Sequence, residues 1–366
     1  MARRALKRKK AKVIRKSSKT GPKRVAKLGT HRLKSRKPKQ IQTIRQFRYS
    51  SLNEVLLHNI LKNESPQKTN EEAMLILQVL TNITPNMRDF SFREGFSIGK
   101  ELYGICAYYN PKGWYEEYVL ELAQFFEKAG YSGTTYNIFP DKITFEIYSN
   151  SFNLGANTHS FEAGIISGFI TSARGAYTRL QETECRYNGA KNCKFSTYPP
   201  RDDQLQPPPP VKELIHKLAV HFNSLATEKK GLPAPSLSGN YYTLLMRNLL
   251  TREYVEALKP IYSFLGESIL RQKLQSTGLK SINVKYMGNI LKLLNLGDSK
   301  IESLRPVKVQ ITFNKLNSKR ELVELSVEFL NGLLGETAKK ITATESNRKG
   351  AYILRLRGEA VKHTHK

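Results

Sequence analysis

The first 50 residues of this chain contain 20 Lys and Arg residues and neither Asp nor Glu. Apolar residues are few in this segment, and Gly21, Pro22, Gly29 and Pro38 interrupt any helical or strand periodicity. A segment of this composition cannot bury enough apolar surface to offset the conformational entropy lost on ordering. We therefore predict a disordered, polycationic tail over residues 1–50.

The charge of the tail indicates a polyanionic partner. The 366-residue chain has a formal net charge of +29, and 20 of its 60 basic residues lie in the tail. Cations that neutralise nucleic-acid phosphates release counterions, so such binding weakens steeply with salt and needs no particular base sequence. We expect electrostatic contact with DNA or RNA, with a solubilising tail or an organelle transit peptide as the alternative. The candidate nucleic-acid-binding residues are Arg3, Arg4, Lys7, Arg8, Lys9, Lys10, Lys12, Arg15, Lys16, Lys23, Arg24, Arg32, Lys34, Arg36 and Lys37.

The remaining composition argues against a secreted or membrane-spanning protein. No stretch approaches the roughly 20 apolar residues of a transmembrane helix, and the first residues lack the apolar core of a signal peptide. The cysteines Cys106, Cys185 and Cys193 are too sparse for an extracellular disulfide framework. We expect a cytoplasmic protein without a transmembrane segment, associated with the nucleoid or the ribosome.

Two regions of similar layout follow the tail, and a proline-rich strip separates them. Three short matches relate the regions: Ile98-Gly99 to Leu265-Gly266, Ser167-Gly168 to Asn331-Gly332, and 183–190 to 344–351. The predicted fold class is α+β, with two similar mixed domains, each an antiparallel sheet packed with helices, that arose by internal duplication. The predicted segments are a tail (1–50), a helical segment (51–86), a first mixed domain (87–197), a linker (198–211), a second helical segment (212–250), a diverged second copy (251–358) and a short tail (359–366).

Hydrophobic periodicity predicts the individual elements. Residues 142–147 alternate between polar and apolar side chains, which predicts a strand over 144–148. Apolar faces at helical spacing predict helices over 70–82, 92–103, 114–129, 159–175, 211–226 and 241–250. The proline run at 207–210 favours an extended, semi-rigid linker, with a docking segment for an aromatic groove as the alternative.

The most specific local motif is Glu182-Thr-Glu-Cys185-Arg-Tyr-Asn-Gly189-Ala-Lys-Asn-Cys193, preceded by His159 and by Glu162-Ala-Gly164-Ile-Ile-Ser-Gly168. Taken alone, two spaced thiols and a distant histidine fit either buried free cysteines or a metal site. The segment resembles the 4-vinyl reductase domain, whose relatives include phenol-sensing input domains of bacterial transcription activators and, more remotely, small TRAPP trafficking subunits. The resemblance covers about residues 87–197, with a degenerate echo over 251–357.

The resemblance implies a structural zinc ion. The sensor relatives bind zinc through a Cys and a Glu-x2-Cys-x7-Cys sequence, which Glu182, Cys185 and Cys193 reproduce, while the first ligand position falls on His159. Imidazole, carboxylate and thiolate are ordinary zinc ligands, and four protein ligands leave no position for a catalytic water. The aligned positions of the second copy are Ala343, Ser346 and Leu354. We therefore expect a metal-free second copy.

An apolar ligand cavity is also implied by the resemblance. The residues that could line it are Tyr103, Trp114, Tyr118 and Phe169, for which ordinary core packing is the alternative. The three histidines on predicted helices, His58, His216 and His221, are expected to be surface or capping residues.

The leading hypothesis is a non-catalytic, nucleic-acid-associated protein with a zinc-braced module that binds a small molecule and plays a regulatory role. The sequence contains no phosphate-binding glycine loop and no Ser/His/Asp arrangement with supporting context, so its motifs do not indicate an enzyme. The alternative is a scaffold that dimerises through helices, as TRAPP subunits do, without a nucleic-acid role. A third hypothesis is an enzyme that acts on an apolar substrate at an open metal position.

Overall fold

The structure, a computed structural model, describes most of the chain from Tyr49 onwards. The described residues are 49–63, 68–69, 84–139, 142–148, 159–184, 190–197, 210–227, 232, 237–277, 283–294, 298–304, 307–313, 320–335, 338–348 and 351–360. The tail before residue 49, the helix predicted over 70–82 and the proline run before residue 210 lie outside the described residues.

The first module combines helices with a four-stranded antiparallel sheet, and a short helix and strand precede it. The preceding elements are α1 (Leu52–Leu61) and β1 (Lys68–Thr69). The elements of the module are α2 (Pro85–Tyr109), α3 (Tyr115–Ala129), β2 (Gly133–Ile138), β3 (Ile143–Tyr148), α4 (Ser160–Arg174), β4 (Gln181–Glu184) and β5 (Cys193–Ser196).

The second module repeats this order after its own leading elements. The leading elements are α5 (Val211–Thr227), β6 (Leu237–Ser238) and α6 (Gly239–Leu249). The module itself contains α7 (Arg252–Thr277), α8 (Val284–Leu293), β7 (Asp298–Leu304), β8 (Val307–Phe313), α9 (Arg320–Leu334), β9 (Ala338–Arg348) and β10 (Ala351–Ala360). Among the described helices, none is both long enough and apolar enough to span a membrane.

The two sheets have the same strand order and share equivalent residue pairs at their centre. The order is β2-β3-β5-β4 in the first module and β7-β8-β10-β9 in the second. In the first sheet Phe195 pairs with Phe145 on one side and with Glu182 on the other. In the second sheet, at the aligned position, Leu356 pairs with Val309 and Ala343. The predicted α+β fold with two similar mixed modules is confirmed.

Each module brings two helices together at glycines. A Cβ atom added to Gly168 on α4 would lie 2.0 Å from the backbone oxygen of Phe96 on α2. A Cβ atom added to Gly332 on α9 would lie 2.0 Å from the backbone oxygen of Ser263 on α7. Only residues without a side chain allow helix backbones to approach so closely. The matched glycine pairs in the sequence therefore mark the same helix crossing in both copies.

Capping residues explain where the long helices of the first module begin and end. Helix α2 begins at Pro85, seven residues before the predicted start at Phe92, because the Thr84 hydroxyl accepts a hydrogen bond from the Met87 amide at 3.2 Å. Helix α3 ends at Gly130, whose φ of 115° is a left-handed conformation. The predicted helices over 114–129, 159–175, 211–226 and 241–250 are each confirmed to within two residues.

The leading elements of the two modules pair with each other. Strand β1 pairs with β6 in antiparallel orientation, with Lys68 opposite Ser238 and Thr69 opposite Leu237. Helix α1 packs on α6. The second leading helix, α6, also packs on α2, so it covers the first module although it precedes the second in the sequence. The two halves are thus joined by helix α6, which packs on the first module, and by a short two-stranded sheet.

A buried carboxylate connects helix α6 to the first module by a hydrogen bond. Glu162 on α4 is fully buried, and its Oε1 accepts hydrogen bonds from the hydroxyls of Tyr131 at 2.7 Å and Tyr241 at 3.0 Å. Tyr131 precedes β2, whereas Tyr241 lies on α6. Burial next to the Glu162 carboxylate raises the pKa of both tyrosines well above the usual value, so both hydroxyls remain donors.

We expect Tyr241→Phe to lower the free energy of unfolding by about 1–3 kcal/mol, because a buried carboxylate oxygen loses one of two hydroxyl donors. Tyr242→Phe is the matched control, since no hydrogen bond of the Tyr242 hydroxyl occurs within the described residues and its neighbour Tyr241 is equally buried. Urea unfolding monitored by circular dichroism measures both variants. Equal stability of the two variants would show that the hydrogen bond to Glu162 contributes nothing.

The prediction for His58 is wrong. Its side chain is only 6% exposed, and its two ring nitrogens are hydrogen-bonded to the hydroxyls of Tyr49 at 2.7 Å and Tyr109 at 2.8 Å. Helix α1 packs on the end of α2, which covers this histidine with groups far away in the sequence. His216 is exposed and His221 half-buried, as expected for surface residues.

Candidate metal centre and adjoining cleft

Three of the four predicted zinc ligands come together in the first module. His159 is the residue before α4, Glu182 lies in β4, and Cys193 begins β5. Strands β4 and β5 are antiparallel neighbours, so the end of β4 and the start of β5 lie close together. A register shift between Glu182 and Glu184 interrupts the regular pairing at this point. The fourth predicted ligand, Cys185, lies outside the described residues.

The geometry of the three side chains suits a metal ion. The Nδ1 atom of His159 lies 3.1 Å from Oε1 of Glu182. The ligand atoms of His159, Glu182 and Cys193 all lie within 4.8 Å of one another, and all three residues are buried. One imidazole, one carboxylate and one thiol are a donor set that transition metals such as zinc accept. The group could therefore hold a metal ion.

The second carboxylate oxygen of Glu182 is an unsatisfied acceptor. Its Oε2 atom is buried and has no hydrogen-bond partner within the described part of the chain. A buried, unpaired carboxylate oxygen costs free energy, and proteins rarely leave one without a proton, a donor or a cation. A simple ion pair with protonated His159 would satisfy only Oε1. A metal ion between the three side chains would satisfy the group more completely.

The second module does not provide this donor set at the aligned positions. The positions aligned with Glu182 and Cys193 hold Ala343 on β9 and Leu354 on β10, which have no metal-binding atom. The only grouping of potential metal ligands found in the described residues is that of the first module. The two copies thus share a fold but differ in the residues that could bind a metal.

A half-open cleft of about 360 Å³ adjoins His159 and Glu182. Its wall includes the first turns of α2 and α4 and the segment that enters β4. The lining residues are Pro85, Arg88, Asp89, Phe92, His159, Ser160, Ala163, Arg179, Leu180, Gln181 and Glu182. Two of the candidate metal ligands, His159 and Glu182, therefore border a space large enough for a small molecule.

The aromatic residues considered for the ligand cavity do not line this cleft. Tyr103 contacts Tyr118 and Phe169, with ring centroids 5.2 and 5.6 Å apart, and the latter two residues are buried in the core. Trp114 is 75% exposed. Ordinary core packing, the alternative to a ligand cavity in the sequence analysis, accounts for Tyr103, Tyr118 and Phe169. Trp114 belongs to the surface because it precedes the first turn of α3.

Sequence reasoning missed both arginines of the cleft and the Glu162 cluster. Arg88 and Arg179 carry no motif, and they meet only because the start of α2 packs beside the segment that leads into β4. The Glu162 cluster joins residues separated by 31 and 79 positions in the sequence. No local pattern reports such contacts. The candidate nucleic-acid-binding residues of the tail lie outside the described residues.

Comparisons of the chain with protein-family models, with curated proteins and with solved structures found no match.

Proposed function

We propose that this chain is a non-catalytic, nucleic-acid-associated protein of the 4-vinyl reductase domain type, whose first module is braced by zinc and binds a small molecule. The observation that carries the proposal is the buried group of His159, Glu182 and Cys193 beside the cleft. The basic tail supplies affinity for DNA or RNA, and ligand binding by the first module regulates the protein.

Zinc is the proposed metal because the donors are mixed. Nitrogen, oxygen and sulfur ligands together suit zinc better than magnesium or calcium, which prefer oxygen alone. His159, Glu182 and Cys193 would hold the ion, and Cys185 would complete a tetrahedral set. Zinc at this position would join the start of α4 to two strands and so stabilise the module. With four protein ligands it would not activate water.

The nucleic-acid role is supported by charge. An acid-free run of 20 cations is far more basic than the remaining chain, in which 40 basic residues face 31 acidic ones. Such a run binds polyanions through counterion release, without base recognition. The predicted contact is therefore with phosphates of either DNA or RNA.

We expect nucleic acid to crosslink to the full-length protein in cells through the tail. Replacing the candidate basic residues of the tail by Gln is expected to weaken binding by about 1000-fold or more at physiological salt, because many phosphate contacts are lost. A tail with the same residues in scrambled order is the matched control and should bind as well as the natural tail. Recovered DNA and RNA are both sequenced. Unchanged recovery with the Gln-substituted tail would contradict the nucleic-acid role.

A dimerising scaffold is the second candidate, and the packing of α6 on the first module favours it. The β1–β6 pair and the α1–α6 contact already join two similar modules in one chain, as two subunits would be joined in a dimer. A scaffold keeps its protein partners when the tail is neutralised. Partner recovery that is independent of the tail, without any crosslinked nucleic acid, would support the scaffold over the proposed function.

A further inference from the structure

The cleft beside the metal centre contains two arginines without an ion-pair partner among the described residues. Arg88 lies in the first turn of α2, and its Nε atom is buried without a hydrogen-bond partner in the described part of the chain. Arg179 lies before β4, with its guanidinium carbon 4.7 Å from the centre of the Phe92 ring. The ion pairs found in the described ranges include neither arginine.

The charged side chains that line the cleft outside the metal group are mainly cationic. Arg88 and Arg179 outnumber Asp89, so these three side chains have a net charge of about +1. The metal centre of the proposed function, on which this inference rests, would add about −1, because Glu182, Cys185 and Cys193 would all bind the divalent ion as anions. The positive ends of α2 and α4, which are 25 and 15 residues long, border the same space and add partial positive charge.

Four further residues of the wall are apolar. Pro85, Phe92, Ala163 and Leu180 line the cleft together with the two arginines. A guanidinium held against an aromatic ring keeps its N–H edge directed away from the ring and available to an oxyanion. The volume of about 360 Å³ lies at the small end of the range for ligand pockets.

We propose that this cleft is a binding site for a small organic carboxylate. The carboxylate accepts hydrogen bonds from Arg88 and Arg179, and the apolar body of the ligand packs against Phe92, Ala163 and Leu180. A planar carboxylate matches the paired N–H groups of a guanidinium, and such charged hydrogen bonds are stronger than neutral ones. The ligand lies next to the metal ligands His159 and Glu182, so its binding and metal binding are coupled.

The test uses zinc-loaded, full-length protein and isothermal titration calorimetry at constant ionic strength. The probes are benzoate, its uncharged isostere benzamide, and inorganic phosphate, which has no apolar body. We expect saturable benzoate binding that is at least about tenfold tighter than binding of benzamide or phosphate. Arg88→Gln and Arg179→Gln should each weaken benzoate binding by about tenfold or more.

Arg174→Gln is the matched control. Arg174 is an exposed arginine in the last turn of α4 and is not among the residues that line the cleft, so its replacement should leave benzoate binding unchanged. The basic tail is identical in all variants, so its contribution cancels in the comparison. Equal benzoate binding by the wild type and by the double variant Arg88→Gln/Arg179→Gln would overturn the proposal. Equal affinity for benzoate and benzamide would overturn it as well.

Zinc content measured on the same samples separates this inference from the proposed function. Zinc-containing protein that does not bind benzoate would overturn the carboxylate site and leave the metal centre intact. Metal-free wild-type protein that still binds benzoate through both arginines would overturn the metal centre and support the carboxylate site.

Discussion

Cys193→Ser is expected to remove the metal ion from the protein and to lower the free energy of unfolding by about 4 kcal/mol. The substitution keeps the size of the side chain but removes a thiolate ligand. A ligand that binds only the folded state at about a thousand times its Kd stabilises that state by about 4 kcal/mol, and this contribution disappears with the ion. Zinc per chain, measured by mass spectrometry, and urea unfolding with and without a chelator test both parts of the prediction.

Cys106→Ser is the control for this experiment. Cys106 on α2 is the other described cysteine, is buried like Cys193, and lies outside the candidate metal group. Burial raises the pKa of its thiol, which therefore stays protonated. Its replacement should change packing slightly and leave the zinc content at one ion per chain. If the wild-type protein contained no metal and its stability did not respond to a chelator, the proposed metal centre would be only a buried His159–Glu182 ion pair.

Gly168→Ala is expected to destabilise the protein by about 3 kcal/mol or more. The new methyl group would lie 2.0 Å from the backbone oxygen of Phe96, so α2 and α4 must separate by more than an ångström. Overpacking of a well-packed interior costs about 1–3 kcal/mol and more where backbone must move. This crossing also positions the first turns of both helices at the cleft, so the variant should lose ligand binding too. Urea unfolding gives the change in stability.

Gly104→Ala on α2 is the matched control for the crossing. A Cβ atom added to Gly104 has no neighbour within 4 Å, so only helix propensity changes. Alanine is favoured over glycine in a helix by about 0.5–1 kcal/mol, and this variant should therefore be more stable than the wild type. Gly332→Ala, at the equivalent crossing of the second module, should be destabilising like Gly168→Ala. Full stability of both crossing variants would contradict the close approach of the helices.

A comparison of the two modules distinguishes the features that the fold needs from the residues that the candidate metal site needs. Both keep the glycine crossing and the strand order, which any protein with this packing needs. Only the first has His159, Glu182 and Cys193. The donors of the candidate metal group are thus not shared by both modules, so Cys193→Ser is expected to lower the stability of the first module without changing the architecture.

The sequence by itself determined the fold class, the repeat and most of the metal group. Helix and strand periodicities are local signals, and the glycines at 99, 168, 266 and 332 record helix contacts directly because no other residue fits there. Glu182 and Cys193 were predicted as ligands of one metal ion from the resemblance of their motif to that of the sensor relatives. Their positions on the neighbouring strands β4 and β5 bring the two side chains together.

Only the tertiary structure decided which polar side chains lie in the interior and which ones meet across elements. His58 is buried because α1 packs on the end of α2, and Oε1 of Glu162 accepts a hydrogen bond from a tyrosine on a helix that belongs to the other half of the sequence. Arg88 and Arg179 share a cleft because two distant segments converge. Burial and electrostatic environment depend on the sum of long-range contacts, which the periodicity of a single segment does not encode.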